Sequence, residues 1–457
     1  SYIFHGNETF DVVSEYKFSG ENTDNMFGNS IDNIGDFNGD GFTDFAAAAY
    51  NYKNQTGQIY VYFGGQGADN IADWIYTGEN ENDSTGFIIK GIGDINNDNF
   101  GDFIASVPGK NSGEGSALVF FGSSSPDNLP DLQLFPATTL ENFASAISKA
   151  GDFNNDGFDD FMIGAYGYPN GNCNGRVYIY YGSENPDANA DLFIDGETVN
   201  KKIGYSVSSA GDFNNDGFDD IICGVSNLTS QGTAYIYLGG NNPNTQSDLI
   251  LTGQIANDKF GEIVACIGDI NNDGFDDVAV SSADYNFYGK VNVYFGGNPL
   301  NNQSDITVLG SVYNSKFGKF VNGFGDINDD DIDDFAIYTP ANDGTLYIWF
   351  GKSNINATHD IVLENDRLTS NFGVSFSNTS NFMGGFSNDI IVGAENALAN
   401  GEVYLFKGIL LPPVIENQSE NVSICEGSDI EFFVEVTATG TINYTWFVSA
   451  DDGLTYV

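Results

Sequence analysis

The chain is 457 residues long and carries 64 Asp+Glu against 15 Lys+Arg, a formal charge of −49. A surface this negative repels nucleic-acid phosphates and anionic lipid headgroups, which excludes both as partners. Aromatic residues make up 14% and glycine numbers 56, a composition of many short strands and tight turns, and no apolar run approaches membrane-spanning length.

In chain order, SYIFHG (1–6) comes first, followed by TFDVVSEYKFSG (9–20). A repeating unit then begins. Each unit opens on a Phe-Gly pair, as at Phe27-Gly28, Phe260-Gly261 and Phe317-Gly318, varied to Thr85-Gly86, Phe143-Ala144 and Ile203-Gly204. An acidic decapeptide follows: GDFNGDGFTD (35–44), GDINNDNFGD (93–102), GDFNNDGFDD (151–160 and again 211–220), GDINNDGFDD (268–277) and GDINDDDIDD (325–334). Next come a short apolar run such as FMIGAY (161–166), a Gly-led aromatic strand such as GRVYIYYG (175–182) and a last strand such as SDLILTG (247–253). A seventh unit (372–408) keeps FGVSF, DIIVGA and GEVYLFKG but lacks the decapeptide.

Four short strands per unit at a period near 58 residues predict an all-β fold, a seven-bladed β-propeller of four-stranded blades over residues 1–408. The strand nearest the axis is expected to be buried on both sides, which suits FAAAAY (45–50) and IICGVS (221–226). The seventh unit ends without a fourth strand, and residues 9–20 match that missing element in placement. They are therefore expected to pair near residues 401–407 and close the ring, protecting an exposed edge. SYIFHG does not fit this scheme neatly, since it resembles a third strand whose place Val403–Phe406 already fills.

Within each decapeptide, oxygen-bearing side chains recur at positions 1, 3, 5 and 9, counting the first Asp as 1. The seventh residue offers its carbonyl. The candidate ligands are Asp36, Asn38, Asp40, Phe42 and Asp44 in the first loop and Asp94, Asn96, Asp98, Phe100 and Asp102 in the second. They are Asp152, Asn154, Asp156, Phe158 and Asp160 in the third and Asp212, Asn214, Asp216, Phe218 and Asp220 in the fourth. The fifth loop supplies Asp269, Asn271, Asp273, Phe275 and Asp277, and the sixth Asp326, Asn328, Asp330, Ile332 and Asp334. Hard, largely anionic oxygens on a tight loop suit Ca²⁺, up to six ions in all, and the loops contain no Cys or His for softer metals. The competing reading is a set of metal-free acidic turns, which leaves three mutually repelling carboxylates per loop unexplained. Position 6 is glycine in four loops but Asn99 in the second and Asp331 in the sixth, where Ile332 also replaces the aromatic residue. Blades contact mainly their neighbours, so the loops are expected to fill nearly independently.

These units resemble FG-GAP repeats, the blades of the integrin α-subunit propeller and of many bacterial surface proteins; the Gly-Ala-Pro of that name is worn here to IGAY (163–166) and VGAE (392–395). The resemblance implies a seven-bladed propeller with Ca²⁺ in the hairpin between the first two strands of a blade. Integrin propellers carry fewer such loops, so six of them point toward the bacterial relatives.

After Gly408 the texture changes. Residues 409–418, with Pro412-Pro413, read as a linker, and residues 419–457, with ICEGSDIEFFVEVTATG and INYTWFVSADDG, resemble the N-terminal part of an Ig-like β-sandwich. The chain is accordingly expected to be one segment of a longer multidomain protein, with Cys425 seeking a partner beyond Val457. Cys223 and Cys266 fall in apolar strand patterns as buried thiols, and Cys173 lies in a loop. Asn-X-Ser/Thr triplets such as Asn227-Leu228-Thr229 are expected by chance in an Asn-rich chain.

Only His5 and His359 occur, and no nucleophile elbow, phosphate loop or metalloprotease helix is present. The expectation is an extracellular or cell-surface adhesion module rather than an enzyme. A Ca²⁺-dependent polysaccharide lyase is the alternative. If the acidic loops join strands 1 and 2, the loops between strands 2 and 3 lie on the opposite face, and these carry Tyr50, Tyr52, Tyr166, Tyr168, Tyr285 and Tyr288. Tyrosine offers an apolar ring with a polar tip to a glycan or protein ligand, although such rings also fill gaps between blades.

Overall fold

A computed structural model of the chain describes residues 14, 16–22, 24–225, 231–364, 371–380, 382, 388–397, 400–406, 414–418 and 434–437. It contains seven four-stranded antiparallel sheets, each spanning one repeat. Blade 3 shows the pattern: Phe143–Gly151, Asp160–Ala165, Arg176–Tyr180 and Leu192–Asp195, hydrogen-bonded in that order. The sheets close into a ring because each of seven apolar clusters takes residues from two adjacent blades. One joins Ile34 and Val61 of blade 1 to Ile89 and Leu118 of blade 2, and another joins Phe18, Ile391 and Leu405 of blade 7 to Phe45 and Tyr60 of blade 1.

The ring closes as expected. Tyr16–Ser19 pairs antiparallel with Glu402–Phe406 and becomes the outer strand of blade 7. Phe18 is fully buried there, with its ring 5.1 Å from Phe45 and 4.6 Å from Tyr62, and Lys17 lies 2.5 Å from Glu402. SYIFHG and residues 9–13 lie outside the described residues.

One expectation needs correction. The apolar run buried on both faces is the second strand, such as Asp44–Ala49, because it is covered by the two neighbouring blades. The strand nearest the axis is the one that follows the Phe-Gly pair, and the axial cavity it lines mixes polar residues such as Ser30 and Asn322 with apolar ones such as Ile147 and Val264. Axial strands of adjacent blades pack side by side and are joined by side chains: Ile89 N–H donates to Ser30 Oγ (2.9 Å), Val264 N–H to Ser206 Oγ (3.0 Å) and Cys266 N–H to Ser208 Oγ (3.1 Å). Serine at these places satisfies a neighbouring backbone donor that no ladder reaches. The Phe-Gly pair itself belongs to the seam between blades. Phe27 is buried, and a side chain on Gly28 would meet the Glu402 carbonyl of blade 7 at 2.6 Å.

Aromatic pairs stack across the second and third strands, as in Phe45–Tyr62, Phe103–Phe120 and Phe161–Tyr180, at 4.8 to 4.9 Å. Such directly opposed pairs are the unit of sheet stabilisation. Beyond the ring, Val414–Gln418 and Val434–Thr437 form a two-stranded antiparallel ribbon; the rest of 419–457, including Cys425, and the triplet at Asn227 lie outside the described residues.

Candidate functional site

Because every blade is antiparallel, all six acidic loops, each joining strands 1 and 2, gather at one end of the axis. They share one backbone design. In every loop the position-1 carboxylate accepts the position-5 and position-6 N–H groups, one on each oxygen; for Asp152 these bonds run from Asp156 (2.9 Å) and Gly157 (3.0 Å). The position-5 carboxylate accepts the position-7 N–H, as from Phe158 to Asp156 (3.1 Å). These are the local side-chain-to-backbone bonds that make Asp and Asn turn-formers. The two departures from glycine at position 6 do not alter the turn. Asn99 and Asp331 take φ of 69° and 64°, in the same left-handed region as Gly157 at 90°.

The position-9 aspartate serves two chain segments at once. Asp160 accepts Phe153 N–H at one oxygen (3.0 Å) and Gly182 N–H, from the end of the third strand, at the other (2.9 Å). Asp44, Asp102, Asp220, Asp277 and Asp334 make the equivalent pair of bonds, and all six are fully buried. Burial is the main cause that raises their carboxyl groups, helped by the acids at positions 1 and 5 and opposed by the backbone bonds. Asp44, Asp102, Asp160, Asp220 and Asp334 are pushed up to about 8 and Asp277 to about 9.

The predicted ligands of each loop are thus brought together, but among the described residues no three acidic, His or Cys side chains stand around one metal-sized point. Two observations test whether a cation suits the loops. Among the described residues, the buried acids have no positive neighbour of the kind that holds such groups ionised. In the fourth loop, Asn214 turns its amide nitrogen to Asp216 (2.9 Å), leaving its oxygen buried and without a partner. The donor set and this orphaned oxygen both fit a hard cation.

Spacing along the chain gives position 8 no role. In blades 3 to 6 it is Asp159, Asp219, Asp276 and Asp333, and each reaches out of its own loop to the preceding blade.

At the opposite end of the axis, Phe87, Tyr166, Tyr205, Glu262 and Lys319 are among the residues lining an axial cavity of about 660 Å³, to which the strand-2-to-3 loops of blades 2 and 3 contribute Pro108, Gly113 and Tyr166. Glu262 is buried there, one oxygen bound to Lys319 (2.9 Å) and the other without a partner. The tyrosines divide. Tyr52 is buried in the seam between blades 7 and 1, which removes it from any free surface. Tyr50 packs against Phe87 (5.2 Å), Tyr166 against Tyr205 (5.5 Å) and Tyr168 beneath the Arg176 guanidinium (3.7 Å), while Lys290 lies 4.3 Å from the Tyr285 ring centre. Tyr288 is exposed and has two exposed aromatic neighbours that the loop pattern did not single out, Phe287 and Tyr313, with Tyr313 5.8 Å from Tyr288.

Residues 27–62, 143–180 and 203–237 match the FG-GAP repeat, and each match starts at the Phe-Gly position and ends in the third strand. Three of the seven repeats thus match FG-GAP repeats. Their likeness extends to integrin α chains: 32% identity to integrin alpha-5 of Xenopus laevis over 29% of this chain and 13% of that protein. Integrin alpha-6 of Gallus gallus is 28% identical over 46% and 20%, and integrin alpha-8 of Mus musculus 30% identical over 44% and 20%. The chain therefore spans no more than a fifth of the length of these relatives. Among the described residues, no helix is long and apolar enough to cross a membrane.

Proposed function

We propose that this FG-GAP propeller is a calcium-stabilised recognition module of a larger cell-surface or secreted protein, binding a glycan or protein through the face opposite its acidic loops. The reading is of a binding module and not an enzyme. The observation that carries it is the sixfold recurrence of one loop design, in which a fully buried aspartate and three further oxygen side chains share a turn with no positive partner among the described residues. One ion per loop would be held by the side chains at positions 1, 3, 5 and 9 and the carbonyl at position 7, and would supply the charge that offsets their repulsion. Lacking the bidentate position-12 glutamate of tighter sites, such loops should bind weakly, on the order of 10⁻⁵–10⁻³ M. That range suits the calcium outside cells, and similarity to integrin α chains favours the same location. Six loops accord with the propellers of bacterial surface proteins. The recognition surface we assign centres on Tyr288, Phe287 and Tyr313 on that opposite face.

Thermal melts in EGTA and in millimolar Ca²⁺ test the calcium reading. The midpoint should rise by several degrees with Ca²⁺, since a ligand that binds only the native state stabilises it. An unchanged midpoint removes calcium from the function. A glycan array probed with the calcium-loaded protein then decides between glycan and protein ligands.

A further inference from the structure

The decapeptide ends in two adjacent aspartates in blades 3 to 6, and the structure sends them in opposite directions. The second, at position 9, is built into its own loop. The first, at position 8, crosses the seam. Asp159 accepts the backbone N–H of Asp94 (2.8 Å), Asp219 that of Asp152 (2.9 Å), Asp276 that of Asp212 (2.8 Å) and Asp333 that of Asp269 (3.0 Å). The residue contacted is in every case the position-1 aspartate of the preceding blade, whose carboxylate organises that loop's turn.

The seams at either end keep the contact by other means. Position 8 of blade 2 is Gly101, whose own N–H donates to the Asp36 carbonyl (3.0 Å). At the corresponding place in blade 7, Asn388 donates from its side chain to the Asp326 carbonyl (2.5 Å). Blade 1 has Thr43 there, and its neighbour is blade 7, which lacks the decapeptide. The glycine that opens each decapeptide is shaped to the same contact. A side chain on Gly93, Gly151, Gly211 or Gly268 would stand 2.1 to 2.2 Å from the crossing carboxylate oxygen. On Gly325, which meets no crossing carboxylate from blade 7, the nearest atom would be Asn378 Nδ2 at 3.6 Å, with Asn388 Nδ2 at 3.9 Å.

From this geometry, and resting on the calcium reading above, we infer that Asp159, Asp219, Asp276 and Asp333 are positioning residues for the ion loop of the preceding blade, coupling the loops in one direction around the ring. Each holds the peptide that leads into a neighbour's first ligand. None is placed among the ligands of its own loop. A carboxylate accepting a backbone N–H is a charge-assisted bond, stronger than a neutral one, so its loss should loosen the neighbour's turn. The loops are then not independent. Disturbing one seam weakens the site before it in the chain and leaves the site after it intact.

The test follows the backbone amide signals of Gly157 and Gly217, one from the third loop and one from the fourth, by NMR through a Ca²⁺ titration of the whole chain. Wild type should show both signals moving. In Asp219→Ala the midpoint for Gly157 should rise about tenfold, the scale of one lost charge-assisted bond, while that for Gly217 stays put. Asp219→Asn, which keeps an acceptor oxygen, should restore most of the loss. Should Asp219→Ala fail to fold, Asp276→Ala read at Gly217 and Gly274 repeats the measurement one seam on. A shift confined to Gly217, no shift at either glycine, or an Asn variant as weak as the Ala variant overturns the coupling. Wild-type signals that ignore Ca²⁺ overturn the calcium reading, and the coupling with it.

Discussion

Two aspartates of the third loop show how one residue type carries different loads. Asp160 is fully buried and satisfies Phe153 and Gly182, so removing it leaves two interior donors unpaired whether or not an ion is present. Asp156 is exposed, with one oxygen accepting Phe158 N–H and the other the Asn154 side-chain amide. Asp160→Ala should therefore cost about 2–3 kcal/mol even in EGTA, whereas Asp156→Ala should cost less than about 1 kcal/mol there. In Ca²⁺ both variants should lose the ion of that loop. Denaturant melts of each variant, with and without chelator, separate the two effects. Equal losses in EGTA would show that position 9 is a ligand and nothing more.

At the scale of the loop and its flanking strands, two glycines six residues apart do different jobs. Gly157 turns the loop at φ 90° with nothing within 4 Å of a would-be side chain, so Gly157→Ala meets only the strain of the left-handed conformation, about 1–2 kcal/mol. Gly151 has φ 65° and would also drive a methyl group to 2.2 Å from Asp219 of the next blade. Gly151→Ala should be the costlier by at least about 1 kcal/mol, because overpacking at the seam adds to the strain. Denaturant midpoints of the two variants decide it. The period, the four strands and the turn residues of this element were legible in the sequence because each follows from local spacing. Spacing singled out Asp160 as the loop's own acid, but where the adjacent Asp159 goes was not legible, since only the preceding blade supplies its partner. The tyrosines failed to separate for the same reason. Tyr52 and Tyr288 sit in comparable loops, and their burial differs with what the next blade places over them.

Across the whole molecule, stability depends on closure. Blade 7 is completed by Tyr16–Ser19, residues almost 400 positions distant in the chain from their partners at 402–405. This pairing is readable from the residues alone, because a seventh repeat that lacks its fourth strand matches an unassigned N-terminal segment. The identity of the axial strand is less readable, because a run of small apolar residues fits the space between two blades as well as it fits an axis. Deleting residues 1–20 exposes the backbone edge of Glu402–Phe406 and strips Phe18 from a core it shares with Phe45 and Tyr62. The truncated protein should melt at a lower temperature and self-associate through that edge. A monomer in size-exclusion chromatography with an unchanged midpoint would rule closure out as a source of stability.

The same pairing has a mechanical consequence. Tyr16 lies opposite Leu405 and Ser19 opposite Glu402, so the chain preceding the first strand and the chain following the last leave the propeller side by side. Tension applied between those two flanks pulls at right angles to the strands and meets their hydrogen bonds one pair at a time, instead of all together as in shear. A propeller tethered at both flanks therefore gives way first at its clasp, at low force, while the other six blades remain folded.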